Sequence, residues 1–453
     1  MTTLYHARWV LPITSAAIDD GAVAVEGARI VGIGKRAALA ARFPEARALD
    51  FGDAAILPGL VNCHSHLELT ALRGYLETEE GDFFAWLKKL TVARLERMTL
   101  EDLYDSAAWG AVEAARAGIT CVGDASDSAG TSMAALRDVG LRATVYQEVF
   151  CLDPGLACEE FEKLREKVAK LREAETSLVR VGVSPHAPYT VCAPLLELVT
   201  ELAIAEGLPL MMHAAESAAE TLFMREGRGP FAERFARRGI EWRPSDVSTI
   251  QYLAALGVLR ARPLLAHCIT VDDADLETLK EQGASIAHCP KSNAKLGHGR
   301  APFADFLKRG LALGLGSDSV ASNNTCDLLE EARFATLLSR VGGDKIGPQR
   351  MVEAGDALLA ATLGGARALA LNHQVGALAE GLQADFIAVA LDGAHQIPVR
   401  DPATALIFAS SGRDVLLTVI AGREVYREGR VVSVDEDRLR ARMNEISLKV
   451  NGE

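Results

Sequence analysis

The sequence predicts an α/β chain: a (β/α)8 TIM-type barrel with a small β-sandwich domain formed from both chain ends. Three observations predict it. Both ends are rich in short β-branched runs between turn signals, the long middle alternates apolar runs with amphipathic helical stretches, and several of those runs stop on a His or an Asp. At 453 residues the chain has ample length for a barrel of about 250 residues plus a second unit.

The β-rich ends come first. Ala22–Val25, Arg29–Gly34 and Ala54–Leu57 read as strands, and the idiom returns in Asp385–Ala390, Asp414–Ile420 and Arg423–Tyr426. Residues 1–57 plus 373–453 therefore form one composite domain, and residues 58–372 form the barrel. In the middle, eight candidate strands end near His64, Asp124, Tyr146, Val183, His213, His267, His288 and Asp318. Leu103–Ala117, Glu159–Ala174, Pro194–Glu206 and Asp272–Gln282 read as helices between them.

Composition narrows the function classes. The net charge is −13 with no basic stripe, which argues against a nucleic-acid partner. No apolar run reaches about 18 residues, so no membrane span is expected. The N-terminus lacks a basic segment followed by an apolar one, and the eight cysteines form no CxxC; a reduced, cytoplasmic setting follows. An apolar barrel exterior makes a homo-oligomer the expected state.

The C-terminal ends of barrel strands carry the active site, so the polar residues there matter most. In Leu57–Glu68 (LPGLVNCHSHLE), His64 and His66 lie two apart and project the same way, which is half of a metal site. Alone, the pair is matched by two turn histidines. His213 ends an apolar strand and adds a third imidazole; Glu216, three residues on, can shuttle protons at a metal-activated water or simply cap a helix. His267 ends the run Pro263–His267. Asp318 closes the last strand, where it can complete a site with three histidines or cap the next helix. Five such coincidences in barrel order favour catalysis over a bland reading of each.

The segments LPGLVNCHSHLE, SPHAPYTVC, HAAES, LLAHC, HCPKSNAKLGHGRAPF and GLGSDSVASNNTCDLLEEAR resemble the amidohydrolase superfamily, in its nucleobase and nucleoside deaminase and chlorohydrolase branch. The resemblance spans essentially the whole chain. It implies one divalent ion, Zn²⁺ or Fe²⁺, held by His64, His66, His213 and Asp318. It assigns proton transfer to Glu216, with Asp318 taking a second proton, and gives His267 the task of orienting the activated water. His186 resembles the histidine set against the substrate, and Asn293 with the loop Ser319–Asn324, including Ser322, matches segments that shape the pocket floor. His288 has no metal role in the pattern and reads as structural. Binuclear members use a lysine at the end of the fourth strand; none occurs between Lys170 and Lys280, so one ion is expected.

HSHLE, with Glu68 two residues after His66, resembles aminodeoxyfutalosine deaminases, where Glu68 can meet a substrate hydroxyl; a helix-start carboxylate is the competing reading. The expected substrate is an adenine nucleoside with a modified 5′ side: aminodeoxyfutalosine, S-adenosylhomocysteine or methylthioadenosine. Guanine deamination and s-triazine hydrolysis use the same apparatus, and an inactive barrel scaffold is the distant alternative. The small zinc deaminase fold is rejected because no PCxxC accompanies His66-Leu67-Glu68. A cysteine nucleophile is disfavoured because Cys63 and Cys268 neighbour site histidines on strands and point away from them. The segment Glu77–Arg97, with Phe83, Phe84 and Trp86, either covers the pocket or packs elsewhere.

Overall fold

A computed structural model of the chain describes residues 1–347 and 350–452. Eight parallel strands run round a barrel in chain order: Leu60–Ser65, Ile119–Ser126, Arg142–Val149, Val179–Pro185, Met211–Ala214, Leu264–His267, Ser285–His288 and Ala312–Leu315. The ring closes where the last strand meets the first (Leu315 opposite Asn62), and the fourth and fifth strands join through Val183 and Leu210. These strands are buried on both faces, which is why they read as continuous apolar runs.

Most predicted strand ends hold, but Asp318 does not end the last strand. That strand stops at Leu315, and Asp318 follows in a loop at φ 56°, its N–H donating to the His64 carbonyl at 2.9 Å. The third strand runs past Tyr146 to Val149, which carries Glu148 up to the rim. Helices cover the barrel and start on sequence-readable caps: Thr99 and Asp102 form a capping box at Leu100–Arg116, as Asp272 and Asp275 do at Asp273–Gln282. Gly283, at φ 70°, ends the latter helix in the left-handed turn that a side chain would strain.

The barrel interior is filled by Val61, Cys63, Cys121, Ala125, Tyr146, Met211, Leu264 and Ala287, closed off by Leu369, Leu371 and Val375 from beyond the last strand. A second, nine-stranded sheet takes strands from both chain ends. Ala54–Pro58 pairs with Phe386–Ala390 in antiparallel register, Leu57 opposite Ile387, so the two ends meet in adjacent strands. Tyr5, Val23, Ile56, Phe386, Leu417 and Val419 share its core, with the Tyr5 and Phe386 rings 4.8 Å apart.

Two connections tie this sheet to the barrel and its cover. Buried Arg142, on the third barrel strand, grips Asp385 with Nε and Nη2 at 2.8 and 3.0 Å. The chain then ends in a helix, Glu436–Asn451, that packs on the barrel side: Arg442 pairs with Asp102 and Asp105, and Ile446 and Val450 join a core with Leu69, Leu72 and Trp86. No helix among the described residues is long and apolar enough to cross a membrane.

Candidate active site

The first strand delivers His64 at its end, and His66 follows just beyond it, at φ −133° and ψ 75°. Asp124, on the neighbouring strand, fixes this turn by accepting hydrogen bonds from Ser65 Oγ at 2.9 Å and Leu67 N at 2.8 Å. Burial pushes the Asp124 carboxyl up to about 7. His213 and His267 stand on the fifth and sixth strands, whose register places Ala214 opposite His267. His267 itself has φ 74°, an uncommon backbone for a residue with a side chain.

These side chains converge. The His66 and His213 Nε2 atoms lie 3.3 Å apart, and Asp318 Oδ1 is 3.5 Å from His64 Nε2 and 3.7 Å from His66 Nε2. One ligand atom from each of His64, His66 and His213 falls within 4.8 Å of the others, as in the group His64, His267 and Asp318. The outer ring nitrogens are already engaged. His66 Nδ1 donates to the Ala125 carbonyl and His213 Nδ1 to the His186 carbonyl, both at 2.9 Å. That leaves each Nε2 lone pair turned inward.

His64 Nε2 is buried without a hydrogen-bond partner. Burial lowers the pKa of all three imidazoles, that of His213 to about 4, so they are neutral donors. Burial opposes ionisation of Asp318, but His64, His267 and His66 hold its carboxyl well below the usual range. Three neutral imidazoles and a carboxylate around an orphaned nitrogen fit a divalent metal ion.

Beside this group lies Glu216. Its Oε2 accepts from the Tyr189 hydroxyl at 2.8 Å, and its Oε1 is 3.7 Å from His267 Nε2 and 3.9 Å from His298 Nε2. Burial alone would raise its pKa, but His267, His298, His213 and Tyr189 together keep it lowered. Glu216 is held by Glu220, which accepts from the Ala215 and Glu216 backbone N–H groups at 2.8 Å each.

A cavity of about 380 Å³ opens above these groups, lined by His66, His186, His213, Glu216, His267 and Asp318. The helix Phe83–Val92 and the following turn supply Phe83, Trp86, Leu87, Leu90 and Arg94 to its wall, so the 77–97 segment covers the pocket. His186 lines the cavity, with Nδ1 2.9 Å from Thr190 Oγ1 and its ring 4.7 Å from Phe150. Glu68 also lines it, but its oxygens are engaged by Arg94 Nε at 2.7 Å, Ser126 Oγ and Ser128 N.

Asn293 and Ser322 stand one layer behind the wall. Asn293 Oδ1 accepts from His267 Nδ1 at 2.9 Å, and Ser322 Oγ donates to Asp318 Oδ2 at 3.1 Å. His288 stacks on Phe303 at 5.2 Å, away from the cavity lining, and Cys63 and Cys268 are fully buried outside it. Four cavity or rim residues had no sequence signal of their own: Tyr189, Glu148, Arg234 and His298. Glu148 is the most telling, since its Oε1 is buried without a partner beside His186 and His213.

Residues 55–425 match the Amidohydrolase family, and residues 21–46 match an imidazolonepropionase-like composite domain of bacteria. The chain belongs to the amidohydrolase family. It is 32% identical over 432 residues to a 5-methylthioadenosine/S-adenosylhomocysteine deaminase of Pelotomaculum thermopropionicum, covering 95% of this chain and 94% of that relative. A Symbiobacterium thermophilum relative bearing the same name is 31% identical, with 97% of each chain covered. Among solved structures of the family fold, an adenosine deaminase from Xanthomonas campestris with bound zinc superposes with a TM-score of 0.88 at 29% identity, covering 100% and 99% of the two chains. An atrazine chlorohydrolase of Arthrobacter aurescens shares the fold at a TM-score of 0.86 and 23% identity, covering 98% of this chain and 100% of its own.

Proposed function

We propose that this protein is a zinc-dependent hydrolytic deaminase that releases ammonia from the exocyclic amine of an adenine nucleoside with a modified 5′ side. The observation that carries the proposal is the placement of the Glu216 carboxylate beside the convergent His64, His66, His213 and Asp318. The deaminases to which the chain is similar supply the adenine-nucleoside class. All eight cysteines are unpaired, in keeping with a reduced cytoplasmic setting.

His64, His66, His213 and Asp318 would hold the ion, and a bound Zn²⁺ supplies Lewis acidity that brings the pKa of water from about 16 towards about 7. The chain's own groups then divide the proton work. Glu216 Oε1, the oxygen that Tyr189 leaves free, takes a proton from the attacking water and passes it to the ring nitrogen next to the amine-bearing carbon. That transfer makes the carbon more electrophilic. His267, aimed by Asn293, hydrogen-bonds the attacking oxygen through Nε2, which lacks a protein partner. Asp318 accepts the second proton from that oxygen, and the proton is then available to the departing ammonia. His186, its ring 4.5 Å from that of His213, faces the nucleoside from the cavity wall.

The test is an ammonia-release screen of zinc-loaded enzyme on adenosine, methylthioadenosine, S-adenosylhomocysteine, aminodeoxyfutalosine, guanine and s-triazines. The expected result is turnover of one or more of the adenine nucleosides, lost by about three orders of magnitude in Glu216→Gln with metal content retained. Turnover confined to guanine or triazines overturns the substrate class. Near wild-type rates in Glu216→Gln overturn the proton assignment.

A further inference from the structure

The three imidazoles of the ligand group are backed unequally. His66 and His213 pass their outer N–H to main-chain carbonyl oxygens, those of Ala125 and His186, at 2.9 Å each. His64 has no such oxygen behind it. Among the described residues the hydrogen-bond partner of its Nδ1 is Met211 Sδ, at 3.3 Å. The other site histidines meet oxygen instead: His186 at Thr190 Oγ1 and His267 at Asn293 Oδ1.

Strand geometry explains where the sulfur lies. Met211 and His213 are two apart on the strand Met211–Ala214, so both side chains point into the barrel, while Met212 between them points outward. The packing agrees. Met211 belongs to the interior cluster with Cys63, Tyr146 and Ala287, whereas Met212 joins the large core shared with the covering helices. An unbranched thioether is long and adaptable enough to reach from the fifth strand to a residue on the first.

A neutral imidazole carries one ring proton, and two groups compete for the one on His64. Asp318 Oδ1, 3.5 Å from Nε2, draws it to the inner nitrogen, where it would occupy the lone pair a metal ion needs. Met211 Sδ draws it to Nδ1 and leaves Nε2 free. His64 and Met211 are both fully buried, so bulk water does not take the place of the sulfur.

We propose that Met211 is a positioning residue for the metal centre: its thioether sulfur keeps the His64 proton on Nδ1 and so holds Nε2 in its ligating form. This rests on the zinc reading above and deepens it. Ligand histidines ordinarily pass their second N–H to a carboxylate, a carbonyl or water, and loss of that partner costs about 10- to 100-fold in metal affinity. A thioether is a weak acceptor, which puts Met211 at the lower end of that range.

The experiment compares Met211→Leu with Met212→Leu. Both exchange a fully buried methionine for an apolar side chain of similar volume, and only the first removes the sulfur from His64. Zinc affinity is measured by competition with a chelator, and the visible spectrum of the Co²⁺-loaded proteins reports the ligand field. Met211→Leu is expected to bind zinc about 10-fold more weakly, with shifted Co²⁺ bands, and Met212→Leu to stay within about 2-fold of the wild type. A second measurement keeps the natural sequence: zinc-loaded protein with ¹⁵N-labelled histidine, prepared once with methionine and once with selenomethionine. One protected ring N–H resonance should move with selenium, and the same resonance should move in Met211→Leu. If Met211→Leu does not fold, the selenium comparison decides alone. Unchanged zinc affinity in Met211→Leu, an equal loss in Met212→Leu, or no resonance sensitive to selenium overturns the role of Met211 and leaves the zinc centre standing. A wild type that binds no zinc overturns the metal centre itself, and the deaminase reading with it.

Discussion

Tyr189 donates its hydroxyl hydrogen to one oxygen of Glu216 at 2.8 Å, and the other oxygen of that carboxylate faces His267 Nε2 at 3.7 Å. The phenol therefore decides which oxygen is free to carry a proton. It also favours the ionised carboxylate, because it hydrogen-bonds to the charged form.

Tyr189→Phe keeps the ring stacked on Phe231 and removes only that hydrogen bond. We expect kcat to fall about 10-fold and the acidic limb of the kcat/KM profile to move to higher pH, since the Glu216 carboxyl loses a group that lowers it. A pH–rate series on both proteins measures this; an unshifted limb would falsify the assignment of the limb to Glu216.

Glu220 is a positioning residue for the same carboxylate. Its oxygens take the backbone N–H groups of Ala215 and Glu216 together with the Thr249 hydroxyl at 2.9 Å. Glu220→Ala leaves three buried donors unpaired, at a cost of about 1–3 kcal/mol each. The expected outcome is a Tm several degrees lower and a kcat at least about 10-fold lower, with metal content near the wild-type level. Loss of stability without loss of kcat would reduce Glu220 to a purely structural role.

At the junction of barrel and sheet, Asp385→Ala strands the buried Arg142 guanidinium. Breaking such a pair costs about 3–5 kcal/mol, whereas removing both charges costs much less. Urea unfolding should therefore show Asp385→Ala as strongly destabilised and the double variant Arg142→Met with Asp385→Ala as closer to wild type.

Buried Glu331 gives a pH prediction away from the catalytic groups. Burial raises its carboxyl to about 8, although Asn323 and the Lys291 N–H donate to it at 2.6 and 3.2 Å. From about pH 4.5 to 8 the folded chain keeps a proton that the unfolded chain releases, so this group makes stability fall as pH rises through that window. Glu331→Gln lacks the effect. The difference in Tm, wild type minus variant, should shrink from pH 5 to pH 8 in differential scanning fluorimetry.

Much of the site is legible in the sequence, for a physical reason. A parallel barrel strand is a short apolar run, so a His at its end stands out, as His64, His213 and His267 do. Asp318 was readable as a residue but not as a loop position, because the turn that lifts it depends on the hydrogen bond to the His64 carbonyl. Tyr189, Glu148 and Arg234 gave no local signal; only packing between distant helices and strands turns them towards the cavity. The helix Glu436–Asn451 is masked in the sequence by the β-rich stretch before it, although Asp435 before its first turn is an ordinary cap signal.

The pairing of Leu57 with Ile387 has a consequence for biosynthesis. The edge of Ala54–Pro58 that will face Phe386–Ala390 leaves the ribosome long before its partner exists. At about 5–20 residues per second the wait is on the order of 20 to 60 seconds, through the translation of the whole barrel. During that interval the nascent N-terminal strands carry an unsatisfied edge, an invitation to misassociation. Cells making this enzyme in quantity should therefore depend on chaperones that bind early in translation, and slower synthesis should lower the soluble yield.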